Sequence, residues 1–87
     1  MEYSVKRSCF FEKDTDYCGH DVESSSLSAD SARHCQELCQ KHEKCQFWSY
    51  SEGGNHCYLK SSDIGRYSYP GITSGTKFCS KYQNLLT

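Results

Sequence analysis

The sequence predicts a small α+β domain, one helix set among short strands and clamped by internal disulfides. Three observations predict it: seven cysteines in 87 residues, a helical stripe between Ser31 and His42, and an alternating hairpin pattern between Cys45 and Lys60.

The cysteines compensate for a shortage elsewhere in the composition. Eighty-seven residues fill one core at most. Hydrophobic residues make up 36% of the chain, and cysteines and tyrosines are many of them. A core of that size is marginal on burial alone, and cysteine density in so short a chain reads as a covalent framework. Such bonds need an oxidising compartment, so a secreted, lumenal or cell-surface setting is expected. No stretch is long and apolar enough to span a bilayer, and no direct membrane insertion is expected. Residues Met1 to Val5 lack the apolar run of a signal peptide, so the expected origin is a module excised from a longer secreted protein. Ten basic residues against eleven acidic ones leave a net charge of −1. That balance argues against nucleic acid and against polybasic membrane attachment.

Residues 1–8 are polar and unpatterned and are expected to fray, as is a tail over 83–87. The single domain is expected over 9–82. Cys9-Phe10-Phe11 reads as an opening strand, and Asp14-Thr15-Asp16 and Gly19-His20-Asp21 as turns. A serine-rich loop over 24–28 leads to the helix, which Asp30 or Ser28 is expected to cap. From Ser31 to about His42 there is no Gly or Pro. Ala32, Cys35, Leu38, Cys39 and His42 share one stripe, while Gln36, Glu37, Gln40 and Lys41 fill the outer face. Cys45 to Tyr50 alternates, Glu52-Gly53-Gly54-Asn55 turns, and Cys57 to Lys60 resumes as the second arm of a hairpin. Residues 64–71 read as a loop and Lys77-Phe78-Cys79 as a final strand.

Cys35 and Cys39 lie one helical turn apart, with Cβ atoms roughly 5–6 Å from each other. A disulfide needs about 4 Å, so each is expected to reach a different partner. Cys39 with Cys45 would lock the corner after the helix, Cys35 would reach the hairpin, and Cys79 would close onto a cysteine near the start. Taken as three pairs and one leftover, seven cysteines still allow roughly 105 arrangements.

Several runs resemble the PAN/apple family. Ala32-Arg33-His34-Cys35-Gln36-Glu37-Leu38-Cys39 is similar to its helix motif A-x-x-C-Q-x-x-C. Cys45, followed by Trp48 and Tyr50, resembles its cysteine with aromatics at the third and fifth positions. Cys57-Tyr58-Leu59-Lys60 is similar to its C-x-L-K strand, and Ser74-Gly75-Thr76-Lys77-Phe78-Cys79 to its closing S-G-x-x-x-C. Gly19-His20-Asp21-Val22 resembles the step between first cysteine and helix. The match runs from Cys9 to Cys79. Short spacings and Tyr17 before Gly19 look most like the apple modules of apicomplexan, Eimeria-type, microneme adhesins.

That resemblance implies one helix packed on a curved antiparallel sheet of about five strands. It also implies the pairs Cys9–Cys79, Cys35–Cys57 and Cys39–Cys45. Cys18 departs from the pattern and is expected to be unpaired. The implied function is non-catalytic recognition of a partner protein or a host glycan by a secreted, monomeric module. The setting would be the microneme and then the parasite surface, in host-cell attachment. The alternative is a structural spacer or oligomerisation unit in a tandem array, through Cys18.

Other readings of the reactive residues are weaker. Cys35, Cys39, His42 and Cys45, with His20 or His34 in reserve, lack the two short ligand clusters of a structural zinc site, so no metal or cofactor is expected. Cys18 and His20 are close in sequence, but a thiol nucleophile also needs an orienting group and a pocket. No enzyme is expected. Trp48 shares a strand face with Tyr50 and is expected in the core, leaving Phe47 the more exposed ring. Tyr67 and Tyr69, before Pro70-Gly71, are the expected ligand-binding residues, because loop tyrosines offer large contact area at small entropic cost. Lys60, Arg66 and Lys77 are the expected donors beside them. The competing reading packs both tyrosines back on the thin core.

Overall fold

The structure, a computed structural model, describes residues 11–78. In chain order these form β1 (Glu12–Tyr17), β2 (Leu27–Ser28), α1 (Ala32–Gln40), β3 (Phe47–Ser51), β4 (His56–Lys60) and β5 (Arg66–Thr76). The strands make one antiparallel sheet in the order β1-β5-β3-β4-β2.

Strand parity decides which side becomes the core. Trp48 and Tyr50 stand opposite Leu59 and Cys57 in the β3–β4 register. All four are buried with Ala29, Cys35, Cys39 and Cys45, which places α1 over that face. Trp48 is wholly buried, and its indole donates to the Thr76 carbonyl at 2.8 Å. Gly75 lies across from it. A Cβ there would come within 2.7 Å of the indole ring, so close packing of β5 on Trp48 requires glycine. Phe47 is half-buried, edge-on to Tyr17 at 5.9 Å.

Two disulfides fasten the helix. Cys35–Cys57 joins α1 to β4 and Cys39–Cys45 closes the turn into β3, with Cα separations of 5.4 and 5.3 Å. Cys18 is free and exposed. The pair implied between Cys9 and Cys79 lies outside the described residues, as do the expected boundaries at 8/9 and 82/83.

The helix differs from expectation in three ways. Ser31, in extended backbone, is its N-cap and accepts from the His34 N–H at 3.1 Å. Asp30 instead faces His34, its carboxylate 3.9 Å from the ring nitrogen. The helix ends at Gln40, and the His42 N–H turns back to the Cys39 carbonyl. Gln36 is buried because β5 passes beside it, and its amide donates to the Thr76 carbonyl at 3.3 Å.

The larger corrections concern strands. Residues 14–16 belong to β1: Asp14, at φ 54°, is a bulge residue that shifts the register without ending the pairing. The expected loop over 64–71 is, from Arg66, the first half of β5. Its ladder partners jump from Lys13↔Thr73 to Thr15↔Ser68, so Tyr69-Pro70-Gly71-Ile72 arches out of the β1 pairing. Pro70 is tolerated there because the arch asks it for no ladder hydrogen bond. The serine-rich loop contributes β2, and β5 stops at Thr76, with Lys77 and Phe78 in a bend.

On the face away from α1, β1 and the first half of β5 curl over β3. The Tyr17 N–H donates to Ser49 Oγ at 3.3 Å, and Ser74 Oγ donates to the Thr15 carbonyl at 2.8 Å. Ser49 must then donate to Ser74, 2.6 Å away. Both serines are wholly buried, and this chain of bonds satisfies them.

Candidate functional site

The curl of β1 and β5 leaves a groove of about 420 Å³ on the face opposite the helix. Ser51, Tyr58 and Lys60 line it from the β3–β4 hairpin, Asp16 and the Tyr69–Ile72 arch from the curled side, and Asp21 from the chain leading to β2.

Lys60 is only 5% exposed. Its Nζ lies 2.6 Å from Asp21 Oδ1 and 5.6 Å from the centre of the Tyr58 ring. A buried ammonium needs such a partner, since desolvation otherwise penalises its charge. Backbone pairing sets Asp21 in place. Val22 N–H donates to the Leu59 carbonyl and Ser61 N–H to the His20 carbonyl, both at 2.9 Å. Asp21 bridges Lys60 directly, so the segment acts as a short continuation of the sheet edge.

Tyr69 is 48% and Tyr67 42% exposed. Their rings meet edge to face at 5.7 Å. Tyr67 donates to Asp16 Oδ2 at 3.2 Å. Desolvation, then this bond, pushes its phenol above the ordinary range, so it stays protonated as the donor. Tyr69 belongs to the groove lining, and Tyr67 braces both Tyr69 and Asp16.

Of the residues expected from sequence, Tyr69 and Lys60 come together here with Tyr67 behind them. Arg66 and Lys77 do not. Arg66 sits over the Tyr17 ring at 5.4 Å and pairs with Glu12 at 3.3 Å and Asp63 at 2.8 Å. Burial first and the Glu12 hydrogen bond second push the Tyr17 phenol up. Lys77 donates to the His42 carbonyl at 3.0 Å, beyond the helix end. Asp16, Asp21, Ser51 and Tyr58 were missed. The signal for Tyr58 was parity, since it alternates with the core residues Cys57 and Leu59. For Asp21 it was the Gly19-to-Val22 step, which carries a carboxylate to the sheet edge.

The sequence profile of the PAN domain family matches residues 15–60, more than half of the chain. The chain belongs to the PAN domain family. This PAN module is 34% identical over 53 residues to Micronemal protein 4 of Toxoplasma gondii, covering 61% of the module. It is also 34% identical over 90 residues to bovine coagulation factor XI, covering 93% of the module. The matches span 9% and 14% of those longer proteins.

Solved structures agree on the fold. A structure of TgMIC4-A5 in complex with lacto-N-biose superposes with a TM-score of 0.72 at 22% identity, covering 82% of the module and 100% of that chain. The two N-terminal apple domains of Toxoplasma gondii microneme protein 4 give 0.67 at 29%, covering 83% and 46%. A PAN module from Eimeria tenella gives 0.60 at 30%, covering 88% and 87%. This module's one helix on a five-stranded antiparallel sheet thus shares its fold with solved apple and PAN modules. No helix among the described residues is long and apolar enough to cross a membrane.

Proposed function

We propose that this PAN module is a non-catalytic recognition domain of a secreted apicomplexan adhesin, and that its groove takes a saccharide. The observation that carries the reading is the convergence of Tyr58 and Tyr69 on the Lys60–Asp21 pair inside one concave site. Saccharides bind by laying apolar ring faces on aromatics while hydroxyls meet fixed charged and hydroxyl groups. The groove offers both, and Ser51 adds a neutral donor and acceptor. The likeness to a structure bound to lacto-N-biose supports the same class of ligand. The likeness to a micronemal protein supports a microneme setting, and host-cell attachment from the parasite surface is the role we infer for the module there.

Titration of the labelled module with lacto-N-biose, followed residue by residue in NMR, tests the reading. Shifts are expected at Tyr58, Lys60 and Tyr69. Shifts confined to α1, or none up to millimolar sugar, would remove the groove as the site.

A second reading rests on Cys18, whose free thiol is exposed. It makes the module a covalent oligomerisation or spacer unit in a tandem array. A module that stays monomeric without reductant would count against it, and a dimer abolished by Cys18→Ser would favour it.

A further inference from the structure

The charge balance of the groove restricts which saccharides it can accept. Its lining carries two carboxylates, Asp16 and Asp21, and one ammonium, Lys60. The ammonium is committed. Nζ stands 2.6 Å from Asp21 Oδ1, and the Lys60 side chain is 6% exposed, so it does not face an incoming ligand as an open cation. Asp16 is different, because its partner is the neutral Tyr67 hydroxyl, which leaves the negative charge standing. Asp14 adds another carboxylate from the same strand, accepting from the N–H of Gly71 at 3.0 Å, and Gly71 lines the groove. The expected cations that could have offset these charges, Arg66 and Lys77, are turned to other partners outside the lining.

We infer that the groove is charge-selective: it admits uncharged sugars and rejects those carrying a carboxylate or sulfate, with Asp16 the discriminating residue. The inference rests on the saccharide reading above. Its chemistry is simple. A carboxylate accepts only, so it pairs well with sugar hydroxyls that donate. An anionic substituent has no proton to offer and meets like charge. At roughly 6 Å in a half-exposed site, that repulsion weakens binding about tenfold.

The test compares lacto-N-biose with its sulfated derivative, titrated into the module and into Asp16→Asn, at about 20 mM and about 300 mM salt. The asparagine keeps a carbonyl to accept from Tyr67. The expected result is about tenfold weaker binding of the sulfated sugar at low salt, narrowing to about threefold or less in Asp16→Asn. Salt should narrow the gap in the unmodified module too, which keeps the test decisive if the variant folds poorly. Equal binding of the two sugars overturns the inference and leaves the saccharide reading intact. So does a gap that neither salt nor Asp16→Asn changes, because shape would then exclude the sulfate. If neither sugar moves Tyr58 or Tyr69, both readings fall.

Discussion

Removing the Cys35–Cys57 bond should cost this module more than removing Cys39–Cys45. The first closes 22 residues of chain and the second 6. Loop-closure entropy alone assigns about 3 kcal/mol to the first and about 2 kcal/mol to the second. All four cysteines are wholly buried, so replacing either pair by alanine adds a similar packing loss of about 1 kcal/mol. The local context widens the difference. Cys39–Cys45 spans a turn already held by His42 N–H on the Cys39 carbonyl and Cys45 N–H on the His42 carbonyl, each at 3.1 Å. Cys35–Cys57 ties a nine-residue helix to the sheet, and a helix that short is unstable by itself. Urea unfolding followed by emission of the single, buried Trp48 measures both variants. A Cys18→Ser background prevents thiol exchange. Total losses of about 4 and about 3 kcal/mol are expected. If the short-loop variant is the less stable of the two, or the long-loop variant loses under about 1 kcal/mol, crosslinking is not what holds helix to sheet.

Lys60→Met removes one partner of the ion pair and leaves the half-exposed Asp21 carboxylate without its counter-charge, so stability should fall by about 2 to 3 kcal/mol. Saccharide binding should fall about tenfold because Asp21 loses the anchor that fixes its carboxylate, and calorimetric titration beside urea unfolding separates the two effects. Gly65→Ala sets a Cβ 2.9 Å from the Cys18 carbonyl at φ +94°, and about 2 kcal/mol of stability should be lost in the same unfolding measurement. Ser31→Ala should lower the melting midpoint by about 1 kcal/mol equivalent, and Asp30→Ala by clearly less, because the serine makes the capping bond. Equal losses would return the cap to Asp30.

The helix and the β3–β4 hairpin were legible because their periodicity is local. Ala32, Cys35, Leu38 and Cys39 mark one stripe, and Cys57 and Leu59 alternate with Tyr58 and Lys60. β1 and β5 were hidden for the opposite reason. Asp14 and Pro70-Gly71 interrupt any period of two, and what keeps both segments extended is their pairing across most of the chain's length. Gln36 shows the same limit on a smaller scale. A polar helix residue reads as solvent-facing until a distant carbonyl, that of Thr76, is known to wait beside it. In the groove, residue type pointed to Tyr69 and Lys60, but nothing in a linear reading assigns counter-charges. Lys60 meets Asp21 while Arg66 meets Glu12 and Asp63, and those pairings decide which cation borders the groove.

The arch at Tyr69–Ile72 leaves the β1 ladder and rejoins it three residues before the strand ends. The rim of the groove is therefore spliced into a structural strand at the point where its ladder with β1 is interrupted. Substitutions or insertions over Tyr69 to Gly71 can reshape that rim while Ile72 to Thr76 still dock on β3. A PAN module built this way can change what its groove holds without rebuilding its sheet.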